Sequence, residues 1–268
     1  MSNTIKSNEL NNTHPPEKIL KVSSLTKMFG GVKAQDNISF SIERGIVCGL
    51  IGPNGAGKTT LFNMITGIYP PDEGNIFFLG KSIKKIPVHK LVKSGIARTF
   101  QHVELFASMT LLENVLVGMH VRMKSGFWGA IVKMPWVKRE EQAARERAEA
   151  LLKFTGLTEY THRLAGELPV GRQKMAEIAR ALASEPTLLL LDEPAAGLNA
   201  VETEALGELI LKVKEKGVTM MLVEHDMSLA MGISDKLIVL DRGRKLAEGT
   251  PREIQNDQAV MEAYLGQG

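Results

Sequence analysis

A single cysteine, Cys48, among 268 residues leaves no partner for an intramolecular disulfide and no set of thiolates for a metal. Such usage suits a reducing compartment. Cys48 itself, inside an apolar run, reads as a small core residue. No stretch approaches the roughly 18 to 20 consecutive apolar residues that a membrane-spanning helix needs. Residues 1–18 are polar and rich in asparagine, with no apolar segment of the signal-peptide kind, and are expected to be a disordered leader. Net charge is also scarce: 33 Lys and Arg against 30 Asp and Glu leave +3, too slight to point to nucleic acid. There is no internal repeat and no run of heptads that would extend into a coiled coil. Hydrophobic residues at 44% and charged residues at 24% are ordinary for a globular chain. The expectation is a cytoplasmic protein with one substantial core and a smaller lobe attached.

What the chain does carry is concentrated at 52–59. Gly52, Pro53, Asn54, Gly55, Ala56, Gly57, Lys58 and Thr59 fill the phosphate-loop template G-x-x-x-x-G-K-[ST]. An apolar strand is predicted at 46–51 before it and a helix at 60–66, opening on Thr60, after it. That is the strand–loop–helix setting the motif requires. Glycines let successive N–H groups turn inward around a phosphate, and the helix N-terminus adds partial positive charge. Lys58 brings a full charge to the terminal phosphates, and the Thr59 hydroxyl is placed to ligate Mg²⁺. The spacing predicts a chain that binds a nucleoside triphosphate.

From 19 to about 80 the texture is strand-rich, with short apolar runs at 19–25, 38–42, 46–51 and 75–80. From about 86 to 167 it turns helical. The stretch 138–155 puts Ala144, Ala148, Leu151 and Leu152 on one face and offers Glu141–Arg145 as an i,i+4 pair. From Pro169 onward helices and apolar strands alternate again, with strands at 187–191, 218–223 and 236–240. The last feeds a hairpin turn at Asp241-Arg242-Gly243, and Thr250-Pro251-Arg252-Glu253 opens a capped helix. The pattern predicts an α/β nucleotide-binding core with N-terminal antiparallel strands, interrupted by a helical lobe at about 86–180.

A second acidic feature completes the phosphate loop. Four leucines at 188–191 run into Asp192 and Glu193, so a buried strand delivers carboxylates at its tip. Asp192 is the metal-side candidate. Glu193, one residue beyond, could polarise water for attack on the γ-phosphate. Strand 218–223 ends in Glu224-His225-Asp226, which puts His225 where ligands of open α/β sheets collect.

Together these features resemble the ATP-binding subunit of an ABC transporter, over nearly all of 19–268. The resemblance implies that Phe29 stacks on adenine. It implies that Gln101, in Arg98-Thr99-Phe100-Gln101, links Mg²⁺ and water to a transmembrane partner, and that His225 contacts the γ-phosphate. Leu168-Pro169-Val170-Gly171-Arg172-Gln173 lies where the family's signature motif sits, so Gly171 is implied to meet the ATP of a second cassette paired head to tail. Finer features resemble the branched-chain amino acid importer subgroup: Phe29-Gly30-Gly31, Glu113-Asn114-Val115, Asp192 through Asn199, Glu224-His225-Asp226-Met227 and the closing Ala263-Tyr264-Leu265-Gly266. So does a lengthened segment between Val115 and Lys138, with Trp128 and Trp136.

The resemblance therefore implies an ATP hydrolase using ATP and Mg²⁺, peripheral on the inner face of the cell membrane. Its implied partners are a second cassette (self or sister), integral membrane permeases and, indirectly, an extracytoplasmic solute-binding protein. The rivals are a soluble ABC ATPase outside transport and a nucleotide-gated regulatory module without turnover. Two departures stand out: Pro169 replaces the signature serine, and Arg172 stands where glutamine is usual. Pro169 reads either as a helix starter or as a weakened lid over the partner's ATP. Asn199 reads as an N-cap with Glu202 as its box partner. The basic, aromatic stretch 121–137 reads either as a membrane or protein contact or as a loop packed on its own lobe.

Overall fold

The period-two pattern at the start of the chain produces two long antiparallel strands, β1 (Lys18–Phe29) and β2 (Val32–Glu43), with Ile19, Leu20, Val22, Leu25, Ile38, Phe40 and Ile42 turned inward. These observations come from a computed structural model that describes residues 17–121 and 135–265. With β4 (Glu73–Phe78) and β5 (Lys81–Ser82) they form a four-stranded sheet ordered β2-β1-β4-β5.

A second sheet of six strands is ordered β10-β9-β3-β8-β7-β6. Its members are β3 (Val47–Ile51), β6 (Ile96–Arg98), β7 (Leu188–Asp192), β8 (Thr219–Val223), β9 (Lys236–Asp241) and β10 (Arg244–Gly249). All its pairings are parallel except β9–β10. Every residue of β3, β7 and β8 is buried, as unbroken apolar runs covered on both faces must be. Alternation along these strands sorts the two cores. Leu188, Leu190, Met221, Val223, Cys48 and Leu50 pack toward α1 (Lys58–Ile65) and the antiparallel sheet. Leu189, Leu191, Met220 and Leu222 pack toward α3 (Leu111–Met119), α4 (Pro135–Phe154), α5 (Val170–Leu182) and α6 (Ala200–Glu215). Cys48 is fully enclosed, and burial pushes its thiol up to about 12.

Register does the work of assembly. Leu50 lies beside Val223, and Val223 beside Asp192. The C-terminal ends of β3, β8 and β7 are therefore level, and whatever follows each strand emerges at one edge.

Several local readings hold in detail. Asn199–Glu202 and Thr250–Glu253 both form reciprocal capping boxes, the second with Pro251 opening α8 (Pro251–Gln255). Arg242 and Gly243 both have positive φ, the two-residue hairpin geometry that joins β9 to β10. Ala144, Ala148 and Leu152 are buried along α4, and Leu151 packs at their side. Other elements differ from expectation. Strand β6 lies in a stretch read as helical, after the short helix α2 (Val88–Ser94), because its three residues become a strand only by pairing with β7. The anticipated Glu141–Arg145 pair is replaced by Gln142 donating to Glu146, while the Arg145 charge acts on Glu113. Of the leader expected at 1–18, residues 1–16 lie outside the described residues, whereas Glu17 pairs with Arg44 and Lys18 already opens β1, so the described fold starts before Ile19. Most of the stretch 121–137 also lies outside the described residues. Helix α7 (Met227–Ile233) joins β8 to β9, and α9 (Gln258–Leu265) ends the described chain. No helix among the described residues is long and apolar enough to cross a membrane.

Candidate functional site

The loop after β3 has a shape that side chains forbid. Gly52 (φ 150°) and Gly57 (φ 96°) both sit where a Cβ would overlap neighbours: the Leu240 carbonyl for Gly52, and the Gln35 amide for Gly57. Lys58 begins α1 and folds back over the loop. Its buried Nζ donates to Gly52 O at 2.7 Å and Pro53 O at 3.0 Å. Burial lowers its pKa from the usual lysine range, and the Glu193 charge opposes that shift. The loop borders a cavity of about 580 Å³. Its walls are residues 54–60, Val32, Lys33 and Ala34 of β2, the β9–β10 turn at Arg242 and Gly243, and Glu193 and His225. A glycine cradle at a helix N-terminus with an ammonium bridging it fits a triphosphate by chemistry and by space.

Glu193 closes one end. It is a non-glycine residue at φ 47°, held there because its N–H donates to Val223 O at 3.0 Å and its carbonyl accepts from Lys174 Nζ at 3.0 Å. Oε1 lies 2.8 Å from His225 Nε2, and Oε2 accepts from Gln101 Nε2 at 2.9 Å. The carboxylate is thus fixed between two side chains at the cavity rim, with its own side chain 14% exposed and His225 44% exposed.

Asp192 sits deeper and does not line the cavity. Its Oδ2 is 2.6 Å from Arg98 Nη2, with the Asp192 side chain buried and that of Arg98 nearly so. Arg98 also donates to Asn63 Oδ1 and Thr66 Oγ1, and lies over the rings of Phe62 and Phe100. The Thr59 hydroxyl, the Asp192 carboxylate and the Gln101 amide oxygen are hard oxygen donors of the kind Mg²⁺ takes alongside phosphate oxygens.

The remaining anticipated residues lie apart from the cavity. Phe29 is half-exposed at the end of β1, edge-on to Tyr69 at 5.3 Å, with Lys27 Nζ 5.4 Å from its ring centre. Gly171 is buried against Glu202 in the first turn of α5. Pro169 is the N-cap residue, one place before the helix rather than inside it, and its carbonyl accepts from Arg172 and Gln173 N–H at 2.9 and 3.0 Å. Arg172 lies over the Tyr160 ring at 5.6 Å.

Four residues that sequence reasoning gave no role now carry one. Gln35 braces the loop. Arg98 neutralises Asp192, and Lys174 anchors Glu193. Glu224 is buried and accepts from the Ala195 and His225 N–H groups, with desolvation pushing its pKa up against those bonds. Arg98 and Glu224 lie inside motifs already recognised, but nothing local marks a contact made across the sheet. Tyr264, in the closing motif, is pushed up to about 12 by burial and reaches the Gly52 backbone.

Comparison with known proteins gives matching results. Residues 35–196 match the family described as ABC transporter, and residues 244–268 the one described as branched-chain amino acid ATP-binding cassette transporter. The chain is 46% identical over 250 residues to the high-affinity branched-chain amino acid transport ATP-binding protein BraF of Pseudomonas aeruginosa, covering 93% of this chain and 98% of BraF. The structure of the ADP conformation of MJ1267, an ATP-binding cassette of an ABC transporter, superposes with a TM-score of 0.82 at 35% identity, covering 94% of this chain and all of that one. MJ0796, solved as a dimer in a post-hydrolysis state bound to ADP and Pi, superposes with a TM-score of 0.73 at 28% identity, covering 87% and 99%.

Proposed function

Because the chain belongs to the ABC transporter family, within its branched-chain amino acid transport ATP-binding group, we propose that it hydrolyses ATP to drive import of branched-chain or similar amino acids through separate membrane permeases. ABC cassettes work as dimers within transporter complexes that contain membrane components. In this reading the chain pairs head to tail with itself or a sister cassette, on the inner face of the membrane. An extracytoplasmic solute-binding protein delivers the substrate from the other side.

The residues divide the work as follows. Loop N–H groups and Lys58 bind and orient the phosphates. Phe29, beside Tyr69, offers the ring for the adenine. Mg²⁺, when bound, supplies positive charge against the phosphates, with Thr59, Asp192 and Gln101 as its candidate ligands. Glu193 accepts a proton from water as the water oxygen bonds to the γ-phosphorus and the bond to the bridging oxygen breaks, releasing ADP and phosphate. Gln101 and His225 hold that carboxylate in place, and His225 also faces the γ-phosphate. Gly171 lies far along the chain from the loop and off the cavity wall, so it serves the partner's nucleotide. Exposed Phe106, Met109 and Val117, with a groove beside Leu116 and His120, form an apolar surface suited to a permease.

The observation that carries this reading is the Glu193 carboxylate held by Gln101 and His225 at the edge of the phosphate-loop cavity. Glu193→Gln in the assembled transporter should leave ATP binding intact and cut phosphate release by about 100-fold or more. Retention of more than roughly a tenth of wild-type turnover would remove Glu193 from its role. A wild-type chain that binds ATP without releasing phosphate would instead favour a regulatory module.

A further inference from the structure

The phosphate loop is braced from behind, and one brace is a buried amide. Gln35, on β2, has no exposed surface and does not line the cavity. Its Nε2 donates to Gly57 O at 2.7 Å, while its Oε1 is buried without a hydrogen-bond partner. Chemistry fixes the amide's orientation: a carbonyl can only accept, so nitrogen must face Gly57. Leaving the Gln35 oxygen stranded is a cost that an apolar side chain of similar size would avoid.

The next carbonyl back is tied in the same manner. Ala56 O accepts from Gly243 N–H at 3.1 Å, and Gly243 O in turn accepts from Asp36 N–H at 2.8 Å. Two successive loop carbonyls are thus bound to scaffold elements, β2 and the β9–β10 turn. In a planar trans peptide the C=O and the following N–H point in opposite directions. Fixing the carbonyls of Ala56 and Gly57 on the scaffold side therefore turns the N–H groups of Gly57 and Lys58 toward the cavity. Those are the donors an anion at a helix N-terminus uses.

We propose that Gln35 is a positioning residue for the phosphate-binding loop, fixing the Gly57–Lys58 peptide so that its N–H meets a phosphate oxygen. The proposal rests on the nucleotide-binding reading of the loop. It accounts for the stranded oxygen: local stability is given up to orient a ligand-binding peptide. Gly57 O also accepts from Leu61 N–H at 3.0 Å, so loss of the glutamine leaves no new orphan on the backbone. Position and stability should therefore separate on mutation.

The test uses full-length wild type and Gln35→Leu, with Gln35→Met as a second variant should leucine fail to fold. Binding of ATP with Mg²⁺, and of inorganic pyrophosphate, is measured by calorimetry, and thermal melts are recorded without ligand. The expected result is binding weakened about 2- to 10-fold, the scale of one neutral hydrogen bond. The factor should be the same for ATP and for pyrophosphate, since the lost constraint lies at the phosphates, and the melting temperature should be unchanged or higher. Affinities within twofold of wild type for both ligands, or a lower melting temperature with unchanged affinity, would overturn the proposal and leave Gln35 a structural brace. Wild type that binds neither ligand would overturn the nucleotide reading itself, and the proposal with it.

Discussion

Replacing Arg98 by methionine strands a buried carboxylate. Arg98 and Asp192 meet at 2.6 Å with side chains only 10% and 4% exposed. Removing one partner of such a pair costs about 3–5 kcal/mol, because the remaining charge keeps its desolvation penalty. Two details set where in that range the loss falls. Methionine retains much of the contact with Phe62 and Phe100. Arg98 Nε is itself buried without a partner, so its removal returns part of the cost and favours the lower end. In chains of 150–250 residues each kcal/mol moves the melting temperature by roughly 2–4 °C, so a deficit of about 6–12 °C is expected. A cation bound by Asp192 would restore the missing positive charge. The deficit should then shrink when Mg²⁺ and ATP are supplied together, and persist with ATP plus a chelator. Thermal melts of both proteins under the three conditions decide the matter. A deficit below about 2 °C would refute the claim that Asp192 depends on its partner. A large deficit indifferent to Mg²⁺ would refute the placement of Asp192 beside the metal.

Lys174→Met removes the donor to the Glu193 carbonyl while keeping chain length. A hydrogen bond from a charged donor is worth about 1.5–3 kcal/mol, so phosphate release should fall about tenfold or more, with ATP affinity within twofold of wild type; an affinity loss at an unchanged rate would count against Lys174 acting through Glu193. A pH dependence follows from the Thr110–Glu113 capping box, whose backbone and hydroxyl bonds hold the Glu113 carboxyl below its ordinary 4.5. The ionised form therefore favours the fold: its contribution is complete above pH 4.5 and is lost as pH falls through the depressed native value. Melts of wild type and Glu113→Gln should differ at neutral pH and converge in acid, and a gap that persists unchanged in acid would show that ionisation is not its source.

The features that could be read directly from residue order are those whose causes lie within a few residues. The phosphate loop is eight consecutive positions, and the capping boxes at Asn199–Glu202 and Thr250–Glu253 span three. The Arg242-Gly243 turn needs only two residues that accept positive φ. The leucine run of β7 announces a strand covered on both faces. Strand β6 could not be read in this way, since three residues have no periodicity to detect and their pairing with β7 comes from 92 positions away in the chain. Phe29 is singled out by the family resemblance from its place in the order, but its edge-on contact with Tyr69 depends on how the loop after α1 returns to β1.

Residue order settles the chemistry available: an ammonium, a hydroxyl and two adjacent carboxylates, each at the end of a strand or the start of a helix. Tertiary structure alone decided which of them meet. Gln101 and His225 reach the Glu193 carboxylate from 92 and 32 residues away, and Arg98 reaches Asp192 from 94. Those encounters follow from the order β3-β8-β7 and the level ends of the three strands. Capping and helical periodicity act over about four residues and carry no information about strand order. Order and register are chosen by burying both faces of the sheet at once, and that is a property of the whole chain.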